Sequence, residues 1–128
     1  MIYLDSSAVL SQLFAEQRSL PTAFAESDLA SSRLLEYEVW NRIHARGLTR
    51  THAEEAEAFL ARITLIDLSP AVLARALEPF PIAVRTLDGL HLATIEFLRA
   101  RGEEIEFASF DRKLVRAAQA LGIAIYPL

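Results

Sequence analysis

Hydrophobic positions along the chain follow two alternating patterns. The stretches of one kind are rich in Ala, Leu, Glu and Arg and place apolar residues three and four positions apart, which is typical of amphipathic helices. Between them lie short β-prone runs at Ile2–Leu4, Ala30–Ser32, Ile63–Leu68, Glu106–Ser109 and Ile123–Tyr126. Strands that are separated by helices, with little alternation inside each strand, indicate βαβ units around a buried parallel sheet. The pattern therefore predicts an α/β fold.

Residues that begin and end helices support this division. Ser69 followed by Pro70 predicts an N-cap with proline at the first helical position. Gly102 and Gly122 each follow a helical stretch, where a left-handed C-terminal cap is expected. No repeat, linker or shift in composition divides the chain. We therefore expect residues 1–128 to form one three-layer α/β/α domain with a mainly parallel sheet of four to five strands.

Composition narrows the class of protein. The 128 residues are 52% hydrophobic and 23% charged, which excludes a disordered or collagen-like chain. The absence of cysteine excludes a disulfide scaffold, a thiolate zinc site and a cysteine nucleophile. Apolar runs fall far short of the roughly 20 residues that span a bilayer, so we expect a cytoplasmic protein with no membrane partner. The 17 acidic and 13 basic residues give a net charge of −4, which argues against nucleic-acid binding by bulk charge.

Acidic residues fall where a parallel sheet binds its ligands. Such sheets bind ligands beyond the carboxyl ends of their strands, where the order of the strands reverses. Asp5 directly follows the first strand, and Asp111 has the matching place after the strand that ends at Ser109. Asp88 lies in the first turn of a helix predicted over Leu87–Ala100. We expect these three carboxylates to lie at the same edge of the sheet.

A fourth acid comes from the helix predicted over Arg33–Arg46, where Glu36 and Glu38 are alternatives. At 100° per residue these two side chains lie about 200° apart, so they cannot share a face. The aliphatic positions of this helix centre nearer Glu38, but including Trp40 makes the choice nearly even. The helical pattern therefore favours Glu38 only weakly.

Each acid also has a simple structural explanation. Asp111 can be an N-cap, Asp88 can gain from the helix dipole, Asp5 can form an Asx-type turn, and Glu38 can lie on a solvated face. Together, however, clustered carboxylates repel one another unless a cation neutralises them. Mg²⁺ and Mn²⁺ prefer such oxygen ligands, and these ions promote attack of water on phosphodiesters. The cluster thus predicts metal-dependent phosphoryl transfer to water.

The four acids lie in stretches that follow one another in a distinctive order: residues 2–8 (IYLDSSA), 31–39 (SSRLLEYEV), 85–93 (RTLDGLHLA) and 107–114 (FASFDRKL). In this order and spacing the chain resembles the PIN-domain ribonucleases, and most closely the VapC-type toxins of bacterial toxin–antitoxin pairs. Residues 118–123, followed by Pro127, also fit the closing helix and strand of that family. The resemblance covers the whole chain.

The resemblance implies roles for particular residues. Its catalytic acidic quartet falls on Asp5, Glu38, Asp88 and Asp111, and so selects Glu38 over Glu36. Three of the four are implied as metal ligands: Asp5, Asp88 and Asp111. Ser109 stands where the family has a Thr or Ser that supports the site by hydrogen bonding, and Ser7, or its neighbour Ser6, is expected to orient Asp5.

The resemblance further implies a Mg²⁺- or Mn²⁺-dependent endoribonuclease that acts as a toxin, forms homodimers and is bound by a cognate antitoxin. The alternative is a non-catalytic module, either an inactive PIN domain or a receiver-like signalling domain. A receiver-like domain needs an acidic pair near the first strand and a lysine near the last, whereas here Asp5 is followed by two serines and the only lysine is Lys113. Cleavage of RNA, and its sensitivity to EDTA, separates these alternatives.

Basic residues beside the acids complete the expected site. Arg85, Arg112 and Lys113 can contact RNA phosphates, or they can be solvated charges at helix ends. His91 follows Asp88 by one helical turn and can steady the cluster or serve as a packing residue. If four of the 17 acidic residues belong to the metal site, the other 13 balance the 13 Lys and Arg residues. We then expect weak, salt-sensitive binding of RNA at one local site.

Overall fold

The computed structural model describes residues 1–14 and 23–128. Strands and helices alternate along this part of the chain: β1 (Ile2–Leu4), α1 (Ser6–Leu13), α2 (Ala23–Glu26), β2 (Leu29–Ser32), α3 (Arg33–Ala45), α4 (Thr49–Leu60), β3 (Ile63–Ile66), α5 (Pro70–Ala76), α6 (Thr86–Ala100), β4 (Glu106–Ala108), α7 (Arg112–Ala120) and β5 (Ala124–Ile125). Each strand predicted from the sequence is present, and the differences lie at the ends.

The strand ends depart from the sequence pattern for local reasons. β3 ends at Ile66 rather than Leu68, just before the N-cap of α5. β4 ends at Ala108 rather than Ser109, because Ala108 pairs with Leu4, the last residue of β1. β5 is only Ala124–Ile125 rather than the four residues expected. These corrections shorten the strands without moving them.

The five strands form an all-parallel sheet in the order β3-β2-β1-β4-β5. Ile2 at the start of β1 pairs with Leu29 on one side and with Glu106 on the other. From β1 the chain first builds outward through β2 and β3, and it then returns to the opposite side of β1 for β4 and β5. The carboxyl ends of β1 and β4 therefore meet where the strand order reverses, which is the ligand-binding position of such sheets.

Two hydrophobic clusters separate the helices into layers on opposite faces of the sheet. Alternate residues of β1 divide between them, with Ile2 and Leu4 in one cluster and Tyr3 in the other. The first cluster also contains buried residues of α1, α3 and α4, and the second contains buried residues of α6 and α7. This arrangement confirms the predicted three-layer α/β/α fold.

The predicted helix boundaries are confirmed at three points. Ser69 caps α5, its hydroxyl accepting a hydrogen bond from the Val72 N–H at 3.3 Å, and Pro70 is the first helical residue. Gly102 and Gly122 have φ angles of 89° and 75°. This left-handed conformation ends a helix, and glycine adopts it without strain because it has no Cβ atom. No helix in the described part of the chain combines the length and apolar character needed to cross a membrane.

Candidate active site

Asp5 is a buried carboxylate at the carboxyl end of β1, only 4% exposed. Its side chain accepts hydrogen bonds from the hydroxyls of Ser7 at 2.7 Å and Ser109 at 2.8 Å, and from the Ala8 N–H at 3.3 Å. The last bond makes Asp5 the N-cap of α1. Burial raises the pKa of Asp5 above its usual range, although these hydrogen bonds oppose the rise.

The two serines that orient Asp5 also connect the ends of β1 and β4. The hydroxyl of Ser7 accepts a hydrogen bond from the Phe110 N–H, and that of Ser109 accepts one from the Asp111 N–H, both at 2.9 Å. Since each hydroxyl proton points to Asp5, each serine donates to the carboxylate and accepts from the β4–α7 connection. The structure thus places both predicted supporting serines against Asp5.

Glu38, and not Glu36, is the acid of α3 that turns towards the sheet edge. Its side chain is 18% exposed, and its Oε1 lies 2.6 Å from Nε2 of His91. The Ser6 hydroxyl donates a longer bond, 3.5 Å, to Oε2. Glu36 is 44% exposed and pairs with Arg33 at 3.5 Å on the outer surface of the helix. The structure therefore separates the two alternatives that the helical pattern left nearly even.

Asp88 and Asp111 line a common cleft of about 560 Å³. Partial burial raises the pKa of Asp88, and the negative charges of Asp111 and Glu38 add to the rise, whereas His91 and Arg85 lower it. Asp111 is also the N-cap of α7, accepting hydrogen bonds from the N–H groups of the two residues that follow Arg112, at 3.0 and 3.3 Å. The cap explanation for Asp111 is thus correct, and it leaves the acid in the cleft.

The predicted basic residues share this cleft. Arg85, Arg112 and Lys113 line it together with Asp88 and Asp111, so cations and carboxylates face the same space. Phe110 lies on its wall and also lines a smaller groove of about 300 Å³, where Arg42 and Arg46 are found. The sequence pattern did not single out Phe110 or these two arginines, because an aromatic residue in a loop and surface arginines on a helix carry no distinctive spacing.

The chemistry of the donor set fits a hard divalent cation. Asp5, Glu38, Asp88 and Asp111 offer only carboxylate oxygens, and the raised pKa values of Asp5 and Asp88 mean that a cation would stabilise their ionised forms. Within residues 1–14 and 23–128, no three acidic or histidine side chains already stand close enough together to hold a metal ion. Instead, Asp5 is hydrogen-bonded to the hydroxyls of Ser7 and Ser109, and Glu38 is hydrogen-bonded to His91. Asp88 is near enough to Asp111 for the charge of Asp111 to raise its pKa.

Comparison with known proteins agrees with this architecture. The chain is 31% identical to Ribonuclease VapC46 of Mycobacterium tuberculosis (strain ATCC 25618 / H37Rv), over 97% of the chain and 95% of the relative. It is 29% identical to Ribonuclease VapC47 of Mycobacterium tuberculosis (strain CDC 1551 / Oshkosh), over 95% and 93%. A toxin–antitoxin complex from Klebsiella pneumoniae shares the fold, with a TM-score of 0.66 and 13% identity over 100% of this chain and 98% of that one. Residues 2–120 match the PIN domain family, to which the chain therefore belongs.

Proposed function

We propose that this PIN domain is a Mg²⁺- or Mn²⁺-dependent endoribonuclease that acts as the toxin of a toxin–antitoxin pair. The observation that carries the proposal is that Asp88 and Asp111 share one cleft at the edge where β1 and β4 end. Asp5 is bonded there to Ser109, two residues before Asp111, and Glu38 is bonded to His91, one helical turn after Asp88. RNA as the substrate is supported by relatives that are named ribonucleases and that align over nearly the whole chain. The PIN family match leaves the receiver-like alternative without support.

In this proposal Asp5, Asp88 and Asp111 hold the metal. When bound, a divalent ion makes water more acidic and stabilises the charge that develops on the phosphate. Asp5 is oriented by hydroxyls on both sides, so its carboxylate has a fixed direction before substrate arrives. Glu38 orients the attacking water through Oε2, the oxygen that is not bonded to His91. The protein thus contributes preorganised charge and position.

RNA is held through its phosphates by Arg85, Arg112 and Lys113. These cations line the cleft that contains Asp88 and Asp111, so a phosphate bound there lies beside two of the proposed metal ligands. Without a cation the carboxylates would repel the RNA backbone, and a cation held by Asp5, Asp88 and Asp111 would reduce that repulsion. Substrate binding and metal binding should therefore support each other.

Cleavage of RNA by the purified protein tests the nuclease proposal. We expect endonucleolytic products with Mg²⁺ or Mn²⁺, none with EDTA, and a loss of at least about 100-fold in Asp5→Asn and Asp88→Asn. Within α3, Glu38→Gln should lose activity, whereas Glu36→Gln removes an outward-facing acid and should cleave like the wild type. Full cleavage by both Asn variants would overturn the proposal, and a folded, metal-loaded protein that never cleaves RNA would identify an inactive PIN domain.

The toxin role needs a cellular measurement. Induced expression should arrest growth of a bacterial host, and expression of Asp5→Asn at the same level should not. The product of the neighbouring reading frame, co-expressed as the candidate antitoxin, should restore growth and co-purify with the wild-type protein. Growth arrest that persists in Asp5→Asn would separate toxicity from RNA cleavage and contradict this part of the proposal.

A homodimer is proposed on the family resemblance and on an exposed apolar surface. Leu77, at the end of α5, is 89% exposed, and Leu73, Ile82 and Leu87 are also exposed large hydrophobic residues nearby in the chain. A shallow cleft of about 420 Å³ joins Leu73 and Leu77 to Phe80 at the start of the connection to α6. Analytical ultracentrifugation should give twice the mass of the 14.3 kDa chain, and Leu77→Glu should shift the protein to monomer.

A further inference from the structure

His91 occupies a place in the molecule that the proposed mechanism does not explain. It lies on α6, is 1% exposed, and uses both ring nitrogens: Nδ1 is 2.8 Å from the Tyr3 hydroxyl, and Nε2 is 2.6 Å from Oε1 of Glu38. Tyr3 is completely buried in β1. A chain of two short hydrogen bonds thus runs from the centre of the sheet to one of the proposed catalytic acids.

The chain links the two helix layers. Glu38 belongs to α3, whose buried residues pack in the first hydrophobic cluster, and His91 belongs to α6, whose buried residues pack with Tyr3 in the second. The bond from Nε2 to Oε1 therefore passes beyond the edge of the sheet, from one layer to the other. A contact between layers at this point fixes Glu38 relative to Asp88, which lies one turn before His91 on α6.

The carboxylate of Glu38 determines which nitrogen of the neutral ring carries the proton: an ionised carboxylate only accepts hydrogen bonds, so the 2.6 Å contact requires the proton on Nε2. Burial raises the pKa of Tyr3, so its hydroxyl remains a donor. Nδ1 of the neutral ring is then the acceptor, and the Tyr3 hydroxyl donates to it at 2.8 Å. In the doubly protonated ring Nε2 carries a proton as well, so Nε2–H faces Glu38 in both states.

We propose that His91 is a positioning residue for Glu38: its Nε2–H fixes Oε1, so that Oε2 is presented to the acidic cluster, and Tyr3 fixes the ring. Its consequence for RNA cleavage rests on the proposed function, but the hydrogen-bond chain itself does not. The second oxygen is the freer one, because its bond from Ser6 is long, at 3.5 Å. Among the described side chains, no buried nitrogen or oxygen lacks a hydrogen-bond partner, which agrees with a fully satisfied chain at this point.

Nitrogen NMR of the histidine rings in metal-free protein tests the hydrogen-bond chain directly. Of the three histidines, His91 is assigned by comparison with His91→Gln. We expect its Nε2 to carry a proton that exchanges slowly with water. Tyr3→Phe should move the Nδ1 signal most, and Glu38→Gln the Nε2 signal. A ring that carries its proton only on Nδ1 would overturn the proposal, whether or not the protein cleaves RNA.

Steady-state cleavage kinetics test the consequence. His91→Leu removes the donor, and we expect kcat to fall about 10- to 100-fold, the range for loss of a residue that orients a metal-site ligand, with KM changed less than about threefold. The amide N–H of His91→Gln lies near the position of Nε2 and should restore much of kcat. Leu98→Ala, another buried substitution on α6 that does not touch the acids, should keep the wild-type kcat below its unfolding temperature.

The outcomes separate positioning from a general structural role. Equal kcat for His91→Leu and the wild type would overturn the proposal, as would equal losses in the folded Leu and Gln variants. If His91→Leu fails to fold, the Gln variant and the NMR signals still decide. If the wild type cleaves no RNA while Nε2 is protonated, the proposed function fails and the hydrogen-bond chain stands.

Discussion

At the scale of single residues, the site is built around a carboxylate that the fold holds in an unfavourable place. Asp5 is almost completely buried, and burial raises its pKa, so its ionised form costs stability in the absence of a cation. Two serine hydroxyls and one main-chain N–H reduce this cost. Removing the charge of Asp5 should therefore change the stability little although it removes a proposed metal ligand, whereas removing a donor to Asp5 should lower the stability.

Asp5→Asn and Ser109→Ala test that separation. The Asn variant removes the buried charge, but its NH2 group replaces one of the two oxygens that accept hydrogen bonds. These effects oppose each other, so the free energy of unfolding should stay within about 1 kcal/mol of the wild type. Ser109→Ala leaves the charge with one donor fewer and also removes the acceptor of the Asp111 N–H, so we expect a loss of about 1–3 kcal/mol. Urea unfolding at pH 7 in EDTA measures both. A larger loss in Asp5→Asn than in Ser109→Ala would contradict the assignment.

The raised pKa of Asp88 gives a pH dependence with a defined sign. The carboxyl of Asp88 binds its proton more tightly in the folded protein than in the unfolded chain. Below the ordinary pKa of 3.8 the group is protonated in both states, so it does not lower the free energy of unfolding. As the pH rises through the pKa of the folded protein, ionisation of Asp88 lowers the free energy of unfolding. In EDTA, Asp88→Asn should therefore gain stability relative to the wild type between pH 4 and pH 7. Urea unfolding at both pH values measures the difference, and a difference that does not change with pH would contradict it.

The choice between Glu36 and Glu38 shows what a helical wheel can and cannot predict about a site residue. A helical wheel reports which side of α3 faces the core, and Trp40, which packs partly buried against that core, made the directions nearly equal. Glu38 is turned inward by His91, which comes from the opposite layer and 53 residues away in sequence. The wheel contains no information about that contact. From the sequence, the wheel favours Glu38 only weakly, and the family resemblance selects it.

At the scale of elements, the ends of helices and strands carry the chemistry. Asp5 caps α1 and Asp111 caps α7, while Asp88 lies in the first turn of α6. A helix N-terminus stabilises a carboxylate through its free N–H groups and its dipole. Local signals therefore predicted the places of these three acids well. The strand ends were predicted less well, because the β-prone run continues through Ser109 whereas pairing stops at Ala108, the partner of the last residue of β1.

The two roles of Asp111 can be separated by substitution. Asp111→Asn keeps an oxygen that can accept from the N–H groups at the start of α7, so stability should change little, whereas the proposed metal ligand is lost. Asp111→Ala loses both, and we expect it to be less stable than the Asn variant by about 1 kcal/mol. Thermal unfolding and RNA cleavage are measured on both proteins. Equal stability of the two variants would contradict the capping role.

Gly89 in the first part of α6 offers a stabilising substitution. A Cβ added there meets side-chain atoms of Phe80 and Val84 at 3.5 Å, which is ordinary van der Waals contact. Gly89→Ala should therefore raise the free energy of unfolding by about 0.5–1 kcal/mol. Gly102→Ala is the matched control: it has open space but a φ of 89°, and it should destabilise the protein. Thermal unfolding of both variants decides, and destabilisation by Gly89→Ala would contradict the packing at this position.

At the scale of the whole molecule, charge and topology together are compatible with the proposed action of an acidic protein on RNA. The net charge is −4, but Arg85, Arg112 and Lys113 are gathered in one cleft with Asp88 and Asp111. The α/β class, the parallel sheet and its layers followed from the alternation of strands and helices. The order of the strands did not, because the return of the chain to the far side of β1 depends on packing between distant segments.

Salt dependence of RNA binding tests the local character of this charge. With Asp5→Asn as a protein that binds without cleaving, the logarithm of the affinity for single-stranded RNA should fall linearly with the logarithm of salt concentration. Removing Arg85 or Lys113 should each reduce that slope by about 0.7. Arg50→Ala on α4, outside the cleft, should leave it unchanged. Equal effects of all three substitutions would indicate binding by diffuse charge instead.

The central position of β1 has a consequence for how the protein appears in a cell. β1 is made before both of its neighbours: it pairs on one side with β2, which begins at Leu29, and on the other with β4, which begins at Glu106. The four acids are likewise spread along the sequence, from Asp5 to Asp111, and are therefore made at different times. A nascent or truncated chain that lacks β4 and α7 contains three of the four proposed catalytic acids: Asp5 beside the uncovered edge of β1, Glu38 on α3, and Asp88 without Asp111. If the proposed function is correct, catalytic competence should therefore arise only after β4 and Asp111 have been made, and a chain released before that point should not cleave RNA.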